Sequence, residues 1–409
     1  MKFLKVDSIE TAREKLISSV RDWITARELL PIGEALGKVL AEDVISPCDI
    51  PSFCRSTVDG YAVLSGDTAA ASDSIPVLLT MKGQVEIGQH TSLSIGHGEC
   101  VEIPTGGMLP DGADAVVMVE YSEPFGGSEV AFYSGVSYGE NVVRAGEDAQ
   151  KGALLLQRGK RLLPQDTGTL AAAGITTVTV FAAPRLYIVS TGDELIQPEM
   201  TPEPGQVRDI NTSALWALAQ KNGFIVVGAS VLPDDVSVLE QTLRAAMEIS
   251  DIVIISGGSS KGKKDMTGIV IDRVSSPGVY THGLAIKPGK PTIIGFDEPS
   301  KTLLVGLPGH PVSAMIVFEL LLGWMLRKTT GNASPPAIPA KITCNVASSP
   351  GKLTCWPARL EWMGSGYSAE PIFGKSGLIT TLTKADGYFT VERDAEGLTA
   401  GQTVLVNLF

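Results

Sequence analysis

Four loops hold the residues best suited to chemistry. Ser256-Gly257-Gly258-Ser259-Ser260-Lys261-Gly262-Lys263-Lys264-Asp265 joins three glycines to three lysines and an aspartate. Successive backbone N–H groups in such a turn form a nest for anions, and the lysines add a positive field. The run reads as a phosphate or oxyanion loop, with a solvated basic loop as the alternative. The G-x-x-x-x-G-K-[ST] motif of a P-loop is absent. Lys287-Pro288-Gly289-Lys290-Pro291 holds two lysines on a backbone stiffened by proline, so they are fixed at low entropic cost. Gly306-Leu307-Pro308-Gly309-His310-Pro311-Val312-Ser313 echoes its Pro-Gly-x-Pro pattern. Pro311 suits a first helical turn, and Ser313 can cap it or donate to an anion. His310 fits a structural role as well as a ligand contact. Ser190-Thr191-Gly192-Asp193-Glu194-Leu195 presents two adjacent carboxylates after a tight turn, or caps a helix with acidic first-turn residues.

A further group lies nearer the N-terminus. It comprises Pro51-x-Phe53-x-x-Ser56-Thr57-Val58-Asp59-Gly60, then Thr105-Gly106-Gly107, then Arg144-x-Gly146-Glu147-Asp148. Asp-Gly on its own is a turn signal. Asp59, Asp148, Glu194 and Asp265 suit Mg²⁺, which takes carboxylates together with substrate phosphate. The four histidines are dispersed without H-x-x-x-H, which argues against a histidine metal centre. Cys48, Cys54, Cys100, Cys344 and Cys355 are scattered with no C-x-x-C, which argues against a disulfide framework or a cysteine zinc site. A reducing compartment is expected.

These loops need elements to position them. Apolar runs at 186–190, 225–230, 252–256, 292–295 and 303–306 alternate with helical patterns at 212–221, 238–249, 267–273 and 311–326. Continuous Val/Ile runs alternating with helices predict a parallel α/β sheet, with ligands beyond the carboxyl ends of its strands. Residues 47–148 read as a β insertion, with short strands at 61–64, 75–81, 99–103 and 115–120. An amphipathic helix begins near Asp7, with Ile9, Ala12, Leu16, Ile17 and Val20 at helical spacing. Short helices are expected at 35–42 and 165–173. The expected domains are 1–46 plus 149–178 as one discontinuous elongated piece, 47–148 as the β insertion, 179–330 as the α/β domain and 331–409 as a small β-barrel.

The chain has 409 residues, enough for about two to four domains. Hydrophobic content of 44% excludes disorder as the main state. A formal charge of −12 disfavours non-specific binding to nucleic acid or anionic membrane, while leaving room for a locally basic pocket. The most apolar stretch, 312–326, is shorter than the ~20 residues of a spanning helix and contains Glu319. The N-terminus lacks the pattern of a signal peptide, so a soluble cytoplasmic protein is expected.

In combination the motifs resemble the molybdopterin molybdenumtransferase family (MoeA in bacteria, the E domain of gephyrin in animals). The resemblance rests on residues 51–63, 104–118, 143–152, 190–195, 209–212, 256–267, 284–291 and 307–314, in that order over essentially the whole chain. It implies four domains and a homodimer, with the active site between the α/β domain of one subunit and the β insertion of the other. It implies insertion of molybdate, as substrate, into the dithiolene of adenylylated molybdopterin, with Mg²⁺-dependent release of AMP and no permanently bound cofactor. The adenylyltransferase that makes the substrate and the acceptor molybdoenzymes are the implied partners.

Asp59, Asp148, Glu194 and Asp265 match the family's functional acidic positions, with Asp59, Glu194 and Asp265 near the metal or oxyanion. Ser56, Thr105, Gly106, Thr191, Gly192, Asp209, Asn211, Gly257, Gly258, Ser259, Ser260, Lys261, Lys287, Pro288, Lys290, Pro308, Gly309, Pro311 and Ser313 are the implied substrate contacts. The chain departs from the family at its basic 261–264 loop, at Thr105-Gly106-Gly107 in place of a frequent Thr-Gly-Ala-Pro, and at His310 where Asn is common. A tungstate-preferring relative with the same reaction, or a non-catalytic scaffold like gephyrin's second role, are the competing expectations.

Overall fold

The computed structural model describes residues 6–21, 23–257 and 266–409. Two compact units emerge, one of 1–28, 159–161 and 180–409, the other of 29–158 and 162–179. The division at residue 28 falls inside the segment 1–46 that was expected to run as one piece.

The larger unit is built on a six-stranded sheet. Its order is Ile225–Leu232, Arg185–Thr191, Ile252–Gly257, Thr302–Leu307, Ile293–Asp297, Pro277–His282. The first four strands are parallel. Ile293–Asp297 alone runs against them and pairs antiparallel on both sides, a departure from the expected parallel sheet. The cause is local. Ile293–Asp297 and Thr302–Leu307 are joined by only four residues, with Lys301 at φ 56, and so short a link permits a hairpin but no crossover. The strand Pro277–His282 has too few clustered β-branched residues to stand out in the sequence.

Side chains alternate across this sheet, which explains the continuous apolar runs. Ile252 and Ile254 face one core, with Leu186, Leu215 and Phe318. Val253 and Ile255 face the other, with Leu239, Leu243 and Ile271. Helices therefore cover both faces. The helix Ile9–Val20, whose N-cap Ser8 accepts from the Thr11 N–H, buries Ile9, Ala12, Leu16 and Val20 in the first of these cores. Asn211–Asn222 ends on Gly223 at φ 95, a left-handed cap that glycine adopts without strain. The helix from Pro311 runs to Thr330, beyond the expected 326, and widens into a π-turn at Glu319–Gly323.

Near the C-terminus, Leu353–Trp362, Tyr367–Pro371, Ala337–Ile342, Thr403–Leu408 and Gly387–Val391 pair in sequence, and the last pairs back with the first. This closes a five-stranded barrel over Ala340, Ile342, Ala358, Phe389 and Val406. Closure leaves no free edge among its strands. A sixth short strand, Ile286–Lys287, adds to the Leu353–Trp362 strand in parallel.

The other unit holds a six-stranded β-sheet ordered Ala115–Met118, Gly60–Val63, Glu99–Ile103, Val77–Gln84, Glu129–Phe132, Ser122–Pro124. Gly60–Val63 is buried on both faces. Tyr61 packs edge-on to Phe132 at 5.5 Å on one side, and Ala62 meets Val101 and Val116 on the other. The helix Pro164–Ala172 and the short strands Val44–Ile45 and Leu154–Leu156 complete this unit. No helix forms at 35–42. A single 3₁₀ turn, Ile32–Glu34, precedes Gly37 at φ 75, a conformation that breaks a helix. The described residues contain no helix long and apolar enough to cross a membrane.

Candidate functional site

The parallel strands end in a cleft of about 630 Å³. Thr191, Gly192 and Glu194 follow the first strand of the chain's α/β portion, and Ser256 and Gly257 end the strand beside it. Asp209 and Asn211 enter from the loop and first turn that begin the helix Asn211–Asn222, and Pro308, Gly309 and Pro311 from the loop and first turn that begin the helix at Pro311. Each of these comes from a loop or strand end, as the rule for parallel sheets requires.

A tight polar network fixes the floor. Asp209 Oδ1 accepts from the backbone N–H of Asn211 (3.0 Å) and of Thr212 (3.2 Å), which places its charge at the positive end of the helix. The Asn211 amide nitrogen donates to Ser256 Oγ (2.7 Å) and to the Gly309 carbonyl (2.8 Å). Three separate loops are thus tied to one side chain. Gly257 sits at φ +116, and a Cβ there would lie 2.2 Å from the Thr191 carbonyl oxygen. Only glycine lets these two strand ends meet.

A second cavity of about 560 Å³ shares Pro291, Pro308 and His310 with the first. Lys287, Pro288, Lys290 and Ser313 line it. The barrel supplies Lys352, Trp356, Lys375 and Ser376 on its far wall. His310 Nδ1 lies 2.7 Å from Ser376 Oγ, and the Val312 N–H donates to the Ser376 carbonyl at 3.2 Å. Two cavities with a common rim, one lined by lysines, suit an extended ligand with an anionic end.

In the β-rich unit Ser56, Asp59, Thr105 and Gly106 come together. Asp59 Oδ1 accepts from the Thr105 backbone N–H (2.6 Å) and hydroxyl (2.9 Å). The Gly106 N–H donates to the Ser56 carbonyl at 2.8 Å. The two Thr105 donors hold the Asp59 carboxyl below the usual carboxylate range although it is exposed. Its folded-state contribution is therefore present at neutral pH and lost as pH falls through the lowered pKa. Thr105→Val removes the hydroxyl donor and keeps the N–H. The Asp59 titration, followed by carboxyl-carbon NMR, should then move upward, and an unmoved titration would refute this account. Asp148 is exposed on a separate turn, its N–H donating to Ile50.

Gly258, Ser259, Ser260, Lys261 and Asp265 lie outside the described residues. Among the described residues no three His, Cys, Asp or Glu side chains gather as a metal site. Three contributors escaped the sequence reading. Asp234, which lines the cleft, follows the strand Ile225–Leu232, and the strand-end rule applied to that loop would have found it. Lys352 and Lys375 have no local motif, and only the packing of the barrel brings them to the second cavity.

Three family models match in succession. They are the MoeA N-terminal region (domain I and II) over 7–174, the probable molybdopterin binding domain over 187–328, and the MoeA C-terminal region (domain IV) over 339–409. The molybdopterin molybdenumtransferase of Haemophilus influenzae is 30% identical over 413 residues, covering 98% of each chain. The chain belongs to the MoeA family. The Bacillus subtilis molybdopterin molybdenumtransferase is likewise 30% identical, over 93% of this MoeA-family chain and 89% of its own. Two crystal structures of the MoeA protein of Pyrococcus horikoshii superpose with a TM-score of 0.84 each. Their identities are 36% and 31%; both cover 99% of this chain, and 99% and 100% of theirs. The resemblance carried by eight short motifs thus extends to the whole MoeA architecture.

Proposed function

We propose that this chain is a molybdenum insertase, which places molybdate in the dithiolene of adenylylated molybdopterin and releases AMP. The observation that carries this reading is the pair of cavities with a common rim. The cleft at the strand ends suits the polar body of the ligand, and Lys287 and Lys290 beside it suit its anionic groups. Release of AMP breaks the phosphoanhydride by addition of water at phosphorus, so no protein nucleophile is needed. The chain's part is positioning and charge. Glu194, on the cleft, and Asp59, held ionised, are the acidic groups this reading assigns to that task, and it assigns Asp148 and Asp265 to it as well.

Mg²⁺ belongs to the proposal as an ion bound chiefly by substrate phosphates and one or two carboxylates. When bound it neutralises charge on the anhydride. Homodimerisation and a cytoplasmic location are also part of the reading. Ile45 and Leu154 are register partners on adjacent strands, and both are exposed, an apolar face suited to a second copy.

The test is AMP release from adenylylated molybdopterin with Mg²⁺, titrated with molybdate and then tungstate, on protein whose mass is checked by sedimentation. Release at low molybdate supports the insertase. Release with tungstate alone makes the chain a tungstate-preferring relative. A folded dimer that releases no AMP with either would overturn the enzymatic reading in favour of a scaffold.

A further inference from the structure

His310 of the α/β portion and Ser376 of the barrel meet at the neck between the two cavities. His310 lines both of them. On the barrel side Lys375 and Ser376 line the lysine cavity, and Gly377 lines the cleft. One imidazole and one turn of backbone thus stand where the two spaces join.

The contact is built on a helix start. His310 is the N-cap of the helix that begins at Pro311, a position where Ser, Thr, Asp or Asn usually accepts from first-turn N–H groups. The His310 side chain makes no such bond. Pro311 has no N–H, and that of Val312 donates to the Ser376 carbonyl at 3.2 Å. The imidazole is left to reach across the neck, and its Nδ1 lies 2.7 Å from Ser376 Oγ. A Cβ on Gly377 would meet the His310 ring at 3.7 Å, so the barrel turn also rests against the ring. The carbonyl and the hydroxyl of Ser376 are both given to the start of this helix.

The two sides are anchored differently elsewhere. The Gly309 carbonyl accepts from the Asn211 amide at 2.8 Å, which ties the residue before His310 to the cleft floor. The barrel segment 372–379 belongs to no strand or helix, lying between Tyr367–Pro371 and Thr380–Thr383. Its place relative to the cleft is set across the neck.

We infer that His310 is a positioning residue, whose hydrogen bond to Ser376 clasps the barrel turn 375–377 to the helix start and fixes the spacing of the two cavities. This deepens the proposed function and rests on it. A ligand that spans two sites binds tightly only when their separation matches its own length. A ligand seated in one site does not sense the separation. The clasp therefore favours the whole substrate over either half of it.

Equilibrium binding would be measured without Mg²⁺ or molybdate, so that nothing turns over. The ligands are adenylylated molybdopterin and its two halves, molybdopterin and AMP. His310→Ala should weaken the adenylylated form about three- to tenfold, the worth of one hydrogen bond, and leave both halves and the thermal midpoint unchanged. Ser376→Ala should do the same. The double variant should be no weaker than either single one, because both remove one bond. His310→Asn should restore binding, since its amide stands near the place of Nδ1 and can donate or accept. Unchanged binding of the adenylylated form in His310→Ala would overturn the inference while the insertase reading stands. An equal loss for all three ligands with a lowered midpoint would overturn it too, and make His310 a structural support. Failure of His310→Asn to restore binding would replace the clasp with a direct contact between imidazole and ligand. A wild type that binds the adenylylated form no more tightly than its halves would instead remove the two-cavity basis of the proposed function, and the inference with it.

Discussion

Asp59→Ala should lower AMP release by about 10²–10⁴-fold, the range expected when a group that handles protons or charge in the transition state is removed. The side chain is exposed, so the fold should survive its loss. Two roles must be separated, since Asp59 also braces the Thr105 turn through two hydrogen bonds. Asp59→Asn keeps an oxygen to accept from Thr105 and deletes the charge. If charge is what matters, the asparagine variant keeps the wild-type thermal midpoint and stays slow. Recovery of activity in Asp59→Asn would show that the turn, and not the carboxylate, is what the reaction needs.

Gly257→Ala should have the largest structural effect of any single methyl addition near the cleft. The residue sits at φ +116, and its Cβ would lie 2.2 Å from the Thr191 carbonyl oxygen and 2.9 Å from Thr191 Oγ1. The nearer contact is with a backbone atom fixed by strand pairing, Thr191 being the register partner of Gly257. Backbone strain of this kind is worth about 1–3 kcal/mol, and forcing the strand ends apart adds to it. A loss of about 2–4 kcal/mol in urea unfolding is expected, with weaker substrate binding because the cleft floor shifts. Gly309→Ala is the control. A Cβ there meets only the Gly257 Cα at 3.6 Å, ordinary contact distance. Its stability should change by less than about 1 kcal/mol. Equal losses in the two variants would mean that the close approach at Gly257 is not what limits the site.

Legibility in the sequence followed the range of the forces involved. Where burial is decided locally, elements were readable. Ile9–Val20 shows its stripe in its spacing, and the buried strands show theirs as unbroken Val/Ile runs. The cleft was readable for the same reason, because a parallel strand always delivers its following loop to one edge of the sheet. Residues 35–42 mislead because Leu36, Val39 and Leu40 have helical spacing, while Gly37 at a left-handed φ interrupts the run. The reversed strand Ile293–Asp297 follows from a link to Thr302–Leu307 too short for a crossover, which periodicity does not register. Lys352 and Lys375 were invisible because they reach the second cavity through closure of a barrel, a long-range event with no local signature.

That barrel closure reaches further than its own core. The strand Ile286–Lys287, which leads into the Lys287–Lys290 loop, hydrogen-bonds in parallel to the barrel strand Leu353–Trp362, and the Leu353 N–H donates to the Ala285 carbonyl at 2.9 Å. The barrel thus grips the loop that presents the lysines. By its family match, 339–409 is a separable piece of sequence, but it is not a removable part of the machine. Swapping it for the corresponding piece of a relative would retune the lysine-lined cavity as well as the surface. Modularity in this chain ends where one domain lends a strand to another's lysine loop.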